Sequence, residues 1–125
     1  MNQKAKLALA ALLGAAVSGL TVYGLNAQGK KAYTVTENEV IDAKLAPAFA
    51  EKVLAAQAAA GGKNLRTGGG KVVAMEGKAP SRVAIVEWES LAKAEAFFKS
   101  KAWSDLTPER NKALKTLRRF AVEER

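Results

Sequence analysis

The chain has 125 residues and a mass of 13.2 kDa, which is enough for one ordinary domain. It carries 20 Lys and Arg against 12 Asp and Glu, for a net charge of +8, and it has no Cys and no His. Without these two residue types, the chain alone cannot form a disulfide, a thiol nucleophile, a zinc finger or a Ser-His-Asp triad. We therefore expect no metal site and no cofactor.

The first 27 residues differ in composition from the rest. Lys4 and Lys6 precede a stretch without charge over residues 7–25 that is rich in Ala, Leu, Val and Gly. This arrangement is typical of a secretory signal peptide, and Ala27 stands before a plausible cleavage site. The alternative is an uncleaved anchor, because 19 apolar residues are just long enough to cross a bilayer core of about 30 Å.

These patterns predict three segments and a location outside the cytoplasm. We expect a signal peptide or anchor over residues 1–27, a linker over 28–31 and one domain over 32–125. The domain would be periplasmic or secreted, or else membrane-anchored through residues 7–25 with the domain outside the cytoplasm. Because a domain this small without a disulfide buries only about two-thirds of its unfolded surface, a second copy would be a natural source of further burial.

The first half of the domain predicts two kinds of element. Tyr, Val and Thr recur over residues 33–40 at a density typical of a strand. Asp42 precedes a helical apolar stripe, and Pro47 places the regular start of that helix near itself because a proline is tolerated in a first turn. Gly61 and Gly62 are expected to end the helix. Two short strands are predicted at 63–67 and 71–76, joined by a hairpin turn at residues 68–70.

The second half predicts a buried strand, two helices and a last strand. Residues 82–89 are apolar on both alternations, which is typical of a strand covered on both faces. Ser90 is expected to cap a helix that runs to about residue 100, and Thr107 with Pro108 to open a helix that runs to about residue 117. Residues 118–124 are predicted to form the last strand.

The resulting order, β-α-β-β-β-α-α-β, indicates an α+β fold. It is an elaborated form of the ferredoxin-like split βαβ pattern. Helices cover one face of such a sheet, so the doubly apolar strand at 82–89 needs a second cover, and the sheet of a partner subunit is the economical candidate.

Several segments between about residues 32 and 124 carry a family resemblance. They are the Tyr33 strand with Asp42 after it, Gly61-Gly62-Lys63, Gly68-Gly69, Glu76-Gly77, the strand at 82–89, and the block from Ser100 to Arg110 with Trp103 at an aromatic position. In these segments the chain resembles the domain-of-unknown-function family numbered 1330. The resemblance implies the dimeric α+β-barrel form of the ferredoxin-like fold, and the family has no settled activity to transfer.

The chain departs from the family pattern just before the second glycine pair. Family members often have an Arg there, whereas this chain has Thr67 and places Arg66 one residue earlier. On a strand, a shift of one residue reverses the face to which a side chain points.

Six residues are candidates for a ligand pocket or interface: Tyr33, Arg66, Glu87, Trp88, Trp103 and Arg110. Glu87 lies among apolar neighbours and could have a raised pKa, although pairing with a Lys or Arg is the more common situation. The planar fork of Arg110 would suit a carboxylate, but a salt bridge is the more common role. The two tryptophans could stack on a ligand, but large aromatic residues more often supply core area. No catalytic residue is assigned.

Two functions remain open. The first is an exported homodimeric binding or accessory module with a small-molecule ligand. The second is a cofactor-independent enzyme, in which Glu87 or Tyr33 moves a proton and Arg110 holds an anionic substrate; the fold supports this only by analogy. Nucleic acid is not expected, because the central strand lacks the basic and aromatic RNA-binding motif. The basic run at Lys112, Lys115, Arg118 and Arg119 is expected to be a solvated face, with binding to an acidic lipid surface as the alternative if the leader stays as an anchor.

Overall fold

Four strands and four helices make up the fold, which a computed structural model describes over residues 29–125. The predicted leader over residues 1–27 therefore lies outside the described residues. In chain order the elements are β1 (Ala32–Val40), α1 (Ala46–Ala59), β2 (Lys63–Asn64), β3 (Arg82–Trp88), α2 (Leu91–Phe98), α3 (Lys101–Ser104), α4 (Thr107–Ala113) and β4 (Leu114–Glu123). No helix in this range has the length and apolar character that crossing a bilayer requires.

The strands form one antiparallel sheet in the order β2-β3-β1-β4. The first and third strands of the chain thus form the centre of the sheet, with the second and fourth strands at its edges, which confirms the ferredoxin-like α+β prediction. Ala32 of β1 stands opposite Trp88 of β3, and Thr34 stands opposite Val86. All four of these residues are buried.

The hydrophobic core lies between the sheet and the helices. Val86 and Trp88 from β3 pack against Ala94 and Phe97 from α2 and against Trp103 from α3. The ring centres of Trp88 and Phe97 are 5.3 Å apart. Trp88 is therefore a core residue, which is the more common role of a large aromatic residue.

The opposite face of the sheet is apolar and has no cover among the described residues. Leu65 and Val122 are exposed to 40% and 54%, and the side chain of Phe120 on β4 to 48%. Val35 on β1 and Ile85 on β3, which are paired across the sheet, are only half-buried. We call this surface, with Tyr33 and Val83, the open face.

The ends of α1 follow from its sequence. Ala46 donates a backbone hydrogen bond to the carbonyl of Asp42, so a single turn leads into the helix. At the other end Gly62 donates to Gln57 over 2.8 Å and Gly61 to Ala58 over 3.1 Å, the two bonds of a Schellman motif. Gly61 has a φ of 92°, which only glycine adopts without strain, and it ends the helix as predicted.

The predicted hairpin between residues 63 and 76 is wrong. β2 has two residues, and residues 71–76 form no strand. The hydroxyl of Thr67 donates to the carbonyl of Val83 over 2.8 Å and accepts from the N–H of Ile85 over 3.2 Å. This side chain provides hydrogen bonds to β3 that a longer β2 would have provided through its backbone, and glycines 68–70 form a turn within a long loop.

The boundary between α4 and β4 is also earlier than predicted. The helix ends at Ala113 instead of near residue 117, and β4 begins at Leu114. Both residues are buried and pack against Phe49 of α1. This packing draws Leu114 into the sheet, although the local pattern of Lys and Leu residues is compatible with continued helix.

A register shift interrupts the pairing of β1 with β4. Glu37 pairs with Arg118, whereas the next residue of β1, Asn38, pairs with Thr116. Leu117 is the extra residue, so the strand contains a β-bulge at this position.

Candidate functional site

Two arginines meet on the ring of Trp103 at the helix side of the sheet. The Cζ atom of Arg119 on β4 lies 4.7 Å from the centre of the Trp103 ring and 4.8 Å from that of Phe98. The Cζ atom of Arg110 on α4 lies 5.6 Å from the Trp103 ring centre. Both distances to Trp103 are within the range of a cation–π contact. We call Trp103, Arg110 and Arg119 the arginine cluster.

The position of Arg119 is fixed by a hydrogen bond to the sheet. Its Nε donates to the hydroxyl of Thr36 on β1 over 3.0 Å. This bond and the two aromatic contacts hold the guanidinium group, whose Nη atoms make no hydrogen bond within residues 29–125. The unused donors of the fork are those that would bind a carboxylate in a bidentate way.

The charge of the arginine cluster is not balanced by a carboxylate among the described residues. The ion pairs of this part of the chain involve other cations, for example Lys52 with Glu109 at 2.8 Å. Burial lowers the pKa of Arg119 to about 10, and the charge of Arg110 acts in the same direction. Arg119 therefore remains a cation at neutral pH, although burial and the nearby charge of Arg110 both disfavour its charged form.

A groove of about 440 Å³ lies between α2 and β4, and Arg119 is one of the residues that line it. Its walls are mainly apolar and include Leu91, Phe98 and Ala121, and Thr34 of the central strand contributes to its lining. Glu95 and Lys99 also line it, and both are exposed. A pocket with apolar walls and a few polar groups at one place is the usual form of a small-molecule site.

Arg66 lies in a different place, a cleft of about 390 Å³ beside α1 that also contains Arg82 and Asn64. The side-chain oxygen of Asn64 accepts from the N–H of Arg66 over 2.7 Å, and Arg66 has a φ of 63°. Arg66 belongs to a turn and not to a strand. Its displacement by one residue from the family position therefore does not reverse the face of a sheet to which it points. Arg82 packs on the neighbouring loop, where a Cβ added to Gly68 would lie 3.0 Å from its Nη2.

Tyr33 and Glu87 stand opposite each other on the open face. The hydroxyl of Tyr33 donates to Glu124 over 2.7 Å, and the Nζ of Lys31 lies 3.3 Å from an oxygen of Glu87. The hydrogen bond to Glu124 raises the pKa of Tyr33 above its ordinary value, and the charge of Glu87 adds to the effect. Glu87 is thus ion-paired, the more common situation for a charged residue in a sheet.

The structure brings together only some of the residues predicted from the sequence. Trp103 and Arg110 are neighbours, whereas Tyr33 and Glu87 lie on the other face of the sheet. The enzyme hypothesis needs Arg110 and one of these two residues at one substrate, and they do not converge within one protomer. Nor do acidic side chains within residues 29–125 form a group of three that could hold a metal ion.

Arg119 is the site residue that the sequence did not reveal. It was expected on a solvated face with Arg118, and this expectation is wrong for Arg119. Arg118 points to the open face and pairs with Glu37, whereas Arg119 is half-buried against two aromatic rings. Adjacent residues of a strand point to opposite faces, and the signal that could have separated them is this alternation.

Several solved structures are similar to this chain. A protein of unknown function from Rhodopseudomonas palustris is similar with a TM-score of 0.57 at 13% identity, over 83% of this chain and 92% of that one. HapK from Hahella chejuensis has a TM-score of 0.49 at 14% identity, with 75% and 92% covered. A dimeric protein of unknown function and ferredoxin-like fold from Bacteroides fragilis has a TM-score of 0.45 at 9% identity, with 77% and 95% covered.

No curated protein matches the sequence. A family model does match it, over residues 31–124, which is the whole of the unit that contains the sheet and its helices. The family resemblance seen in the glycine pairs and in the segment around Trp103 is thereby confirmed. The chain belongs to the family described as a domain of unknown function, DUF1330.

Proposed function

We propose that the protein is a homodimeric binding module that holds a small anion at the arginine cluster. The observation that carries this proposal is the contact of Arg110 and Arg119 with one indole ring, without a carboxylate partner within residues 29–125. Two like charges at one aromatic ring repel each other, and the ring quadrupole offsets this repulsion without neutralising it. An anion bound between them would supply the missing charge.

The alternative is that the arginines only pack on the aromatic residues. Long cationic side chains often cover apolar surface in this way. Packing alone, however, needs only the methylene chain of an arginine, and the guanidinium group can then reach water. The Nε bond to Thr36 instead anchors the head of Arg119 at the sheet, and Arg119 also lines the groove. This arrangement favours a ligand.

Homodimerisation is supported by the open face. Phe120 and Val122 are about half exposed, and they continue a surface that Val35 and Ile85 form on the neighbouring strands. Exposed apolar patches of such continuity mark interaction surfaces in soluble proteins. A second copy presents the same surface and would bury it by two-fold packing of sheet on sheet.

Export is supported by the composition of the first 27 residues. Lys4 and Lys6 followed by the uncharged stretch over 7–25 are the basis of this part of the proposal. Mass spectrometry of the protein purified from its natural source tests it. A mature chain that begins at Gln28 is the expected result, and a chain that begins at Met1 or Asn2 would contradict cleavage.

The anion site is tested by titrating acetate and inorganic phosphate into the full chain and measuring the melting temperature at constant ionic strength. We expect at least one of them to raise the melting temperature of the wild-type chain, because a ligand that binds only the folded state stabilises it. Arg119→Gln should abolish the rise. Lys115→Gln removes the same charge from an exposed position of the same strand and should preserve it. Equal rises in both variants would refute the site.

A further inference from the structure

The groove beside Arg119 indicates which kind of anion the site takes. Arg119 is one of the residues that line it, and most of the other lining residues are apolar. Phosphate and other anions without an apolar part would gain no hydrophobic contact with these side chains. An anion with an apolar body would place its charge and its body against matching surfaces.

Three features of the groove support an apolar ligand body. Phe98 is shared between the groove and the arginine cluster, since its ring contacts Arg119 and also lines the groove. Leu91 and Ala94 of α2 extend the same wall, and Ala121 of β4 lies on the other side. The hydroxyl of Thr34, which also lines the groove, is already used as the acceptor of a 3.0 Å bond from the indole N–H of Trp88.

The charges around the groove fix the orientation of the ligand. Arg119 is the half-buried cation of the lining, whereas Glu95 and Lys99 are exposed groups of opposite sign. These two exposed charges are screened by solvent and offset each other. The ligand charge is therefore expected at the fork of Arg119, and the uncharged end is expected along α2.

We propose that the ligand is an organic carboxylate with an apolar body, whose carboxylate binds Arg119 and whose body lies in the groove between α2 and β4. This proposal rests on the proposed function and names the chemistry of its ligand. The carboxylate oxygens accept hydrogen bonds from the free Nη donors of Arg119, and Arg110 supplies a second positive charge at the same ring. Apolar contacts along α2 and β4 add to the affinity in proportion to the area that they bury.

The test compares octanoate, acetate and 1-octanol by calorimetric titration of the full chain. We expect octanoate to bind about a hundredfold more tightly than acetate, because its additional methylene groups are buried in the groove. It should also bind at least about tenfold more tightly than 1-octanol, which has the same body without the charge. Equal affinity of octanoate and 1-octanol would overturn the role of the arginine.

Two variants separate the head and the body of the ligand. Arg119→Gln should weaken octanoate binding at least about tenfold and leave 1-octanol binding unchanged. Ala121→Leu fills the groove from an exposed position, and it should weaken octanoate binding more than acetate binding. The matched control is Ala92→Leu, which makes the same change on the exposed side of α2 outside the groove. Circular dichroism of each variant establishes that it is folded.

The outcomes distinguish this inference from the proposed function. If acetate or phosphate binds through Arg119 as tightly as octanoate does, the anion site stands and the apolar ligand body is refuted. If none of these anions binds, both are refuted. If octanoate binds and Ala121→Leu affects it no more than Ala92→Leu does, the ligand lies outside the groove and the inference is overturned.

Discussion

Two threonine hydroxyls differ in what they contact on the helix side of the sheet. The hydroxyl of Thr34 on β1 accepts the indole N–H of Trp88 in the core. The hydroxyl of Thr116 on β4 is buried and has no hydrogen-bond partner within residues 29–125. A buried polar group stabilises the fold when it is paired and costs free energy when it is not, so the same residue type has opposite effects at the two positions.

Replacement of each threonine by valine tests this contrast. We expect Thr34→Val to lower the free energy of unfolding by about 1–3 kcal/mol, because it leaves the indole N–H of Trp88 unpaired. Thr116→Val should leave it unchanged or raise it by up to about 1 kcal/mol, because it removes an unpaired hydroxyl. Urea unfolding followed by circular dichroism measures both. Thr34→Ser keeps the acceptor and is the control; a Thr116→Val variant less stable than Thr34→Val would contradict the argument.

The titration of Tyr33 reports on the carboxylate that it binds. Glu124 accepts its hydrogen bond and raises its pKa, so the neutral phenol is favoured in the folded state. The contribution of this bond to stability is complete below the ordinary tyrosine pKa of about 10 and is lost as the pH rises through the raised value. Absorbance titration of the wild-type chain against Tyr33→Phe isolates this group. Glu124→Gln should move the midpoint down towards the ordinary value, and no movement would show that Glu124 is not the cause.

At the scale of elements, two neighbouring glycines at the end of α1 have different reasons to be glycine. Gly61 has a positive φ, and a Cβ added there would meet nothing within 4 Å. A Cβ on Gly62 would lie 2.8 Å from the buried ring of Trp88 and 3.0 Å from Val86. The first position is constrained by backbone conformation, and the second by the close approach of the loop to β3.

Alanine at each position separates these causes. Gly61→Ala should lower the free energy of unfolding by about 1 kcal/mol through backbone strain, with no change around the tryptophans. Gly62→Ala should cost about 1–3 kcal/mol, because the rigid indole must move, and it should alter the near-ultraviolet circular dichroism of Trp88. Urea unfolding and the two spectra give the comparison. Identical near-ultraviolet spectra for Gly62→Ala and the wild type would show that the loop moves instead.

The elements that the sequence predicted well are those with strong local patterns. The strand at 82–89, the glycine end of α1 and the helix capped by Ser90 all agree with the structure. The elements predicted poorly depend on distant contacts. Thr67 bonds to β3 with its side chain in place of a strand, and Leu114 leaves the helical pattern for a core position beside Phe49. The arginine cluster was half predicted, through Trp103 and Arg110. Alternation separates Arg118 from Arg119, but the bulge that decides which of the two faces the helices has no local signal.

At the scale of the whole molecule, the proposed homodimer depends on the open face. Specific and stable protein–protein interfaces bury at least about 1,200 Å² in total, and the centres of homodimer interfaces are apolar. Ile85 lies on β3, the strand next to the central β1, and its side chain is half-buried in the protomer. A charge placed there would be buried without a partner in the dimer but can reach water in the protomer.

Ile85→Lys is therefore expected to separate the dimer while the protomer stays folded. Light scattering at micromolar concentration should give twice the chain mass for the wild type and the single mass for the variant. Ala58→Lys adds a charge to an exposed position of α1, on the other side of the sheet, and should remain dimeric. A wild-type chain that is monomeric under these conditions would refute the homodimer without bearing on the anion site.

The extra residue in β4 decides which side chains face which way. Beyond the bulge, Arg119 and Ala121 pair with Thr36 and Thr34 on the helix side, and Phe120 pairs with Val35 on the open face. Removing Leu117 would join Thr116 directly to Arg118, and these two residues already pair with neighbouring residues of β1, so the ladder would become regular and each side chain would keep its face. If the strand instead kept Leu117 in a regular ladder, Arg119 would turn outward and Phe120 inward. The bulge itself therefore separates the proposed ligand-binding surface from the proposed subunit surface, and among related chains its presence or absence would mean more for function than many substitutions.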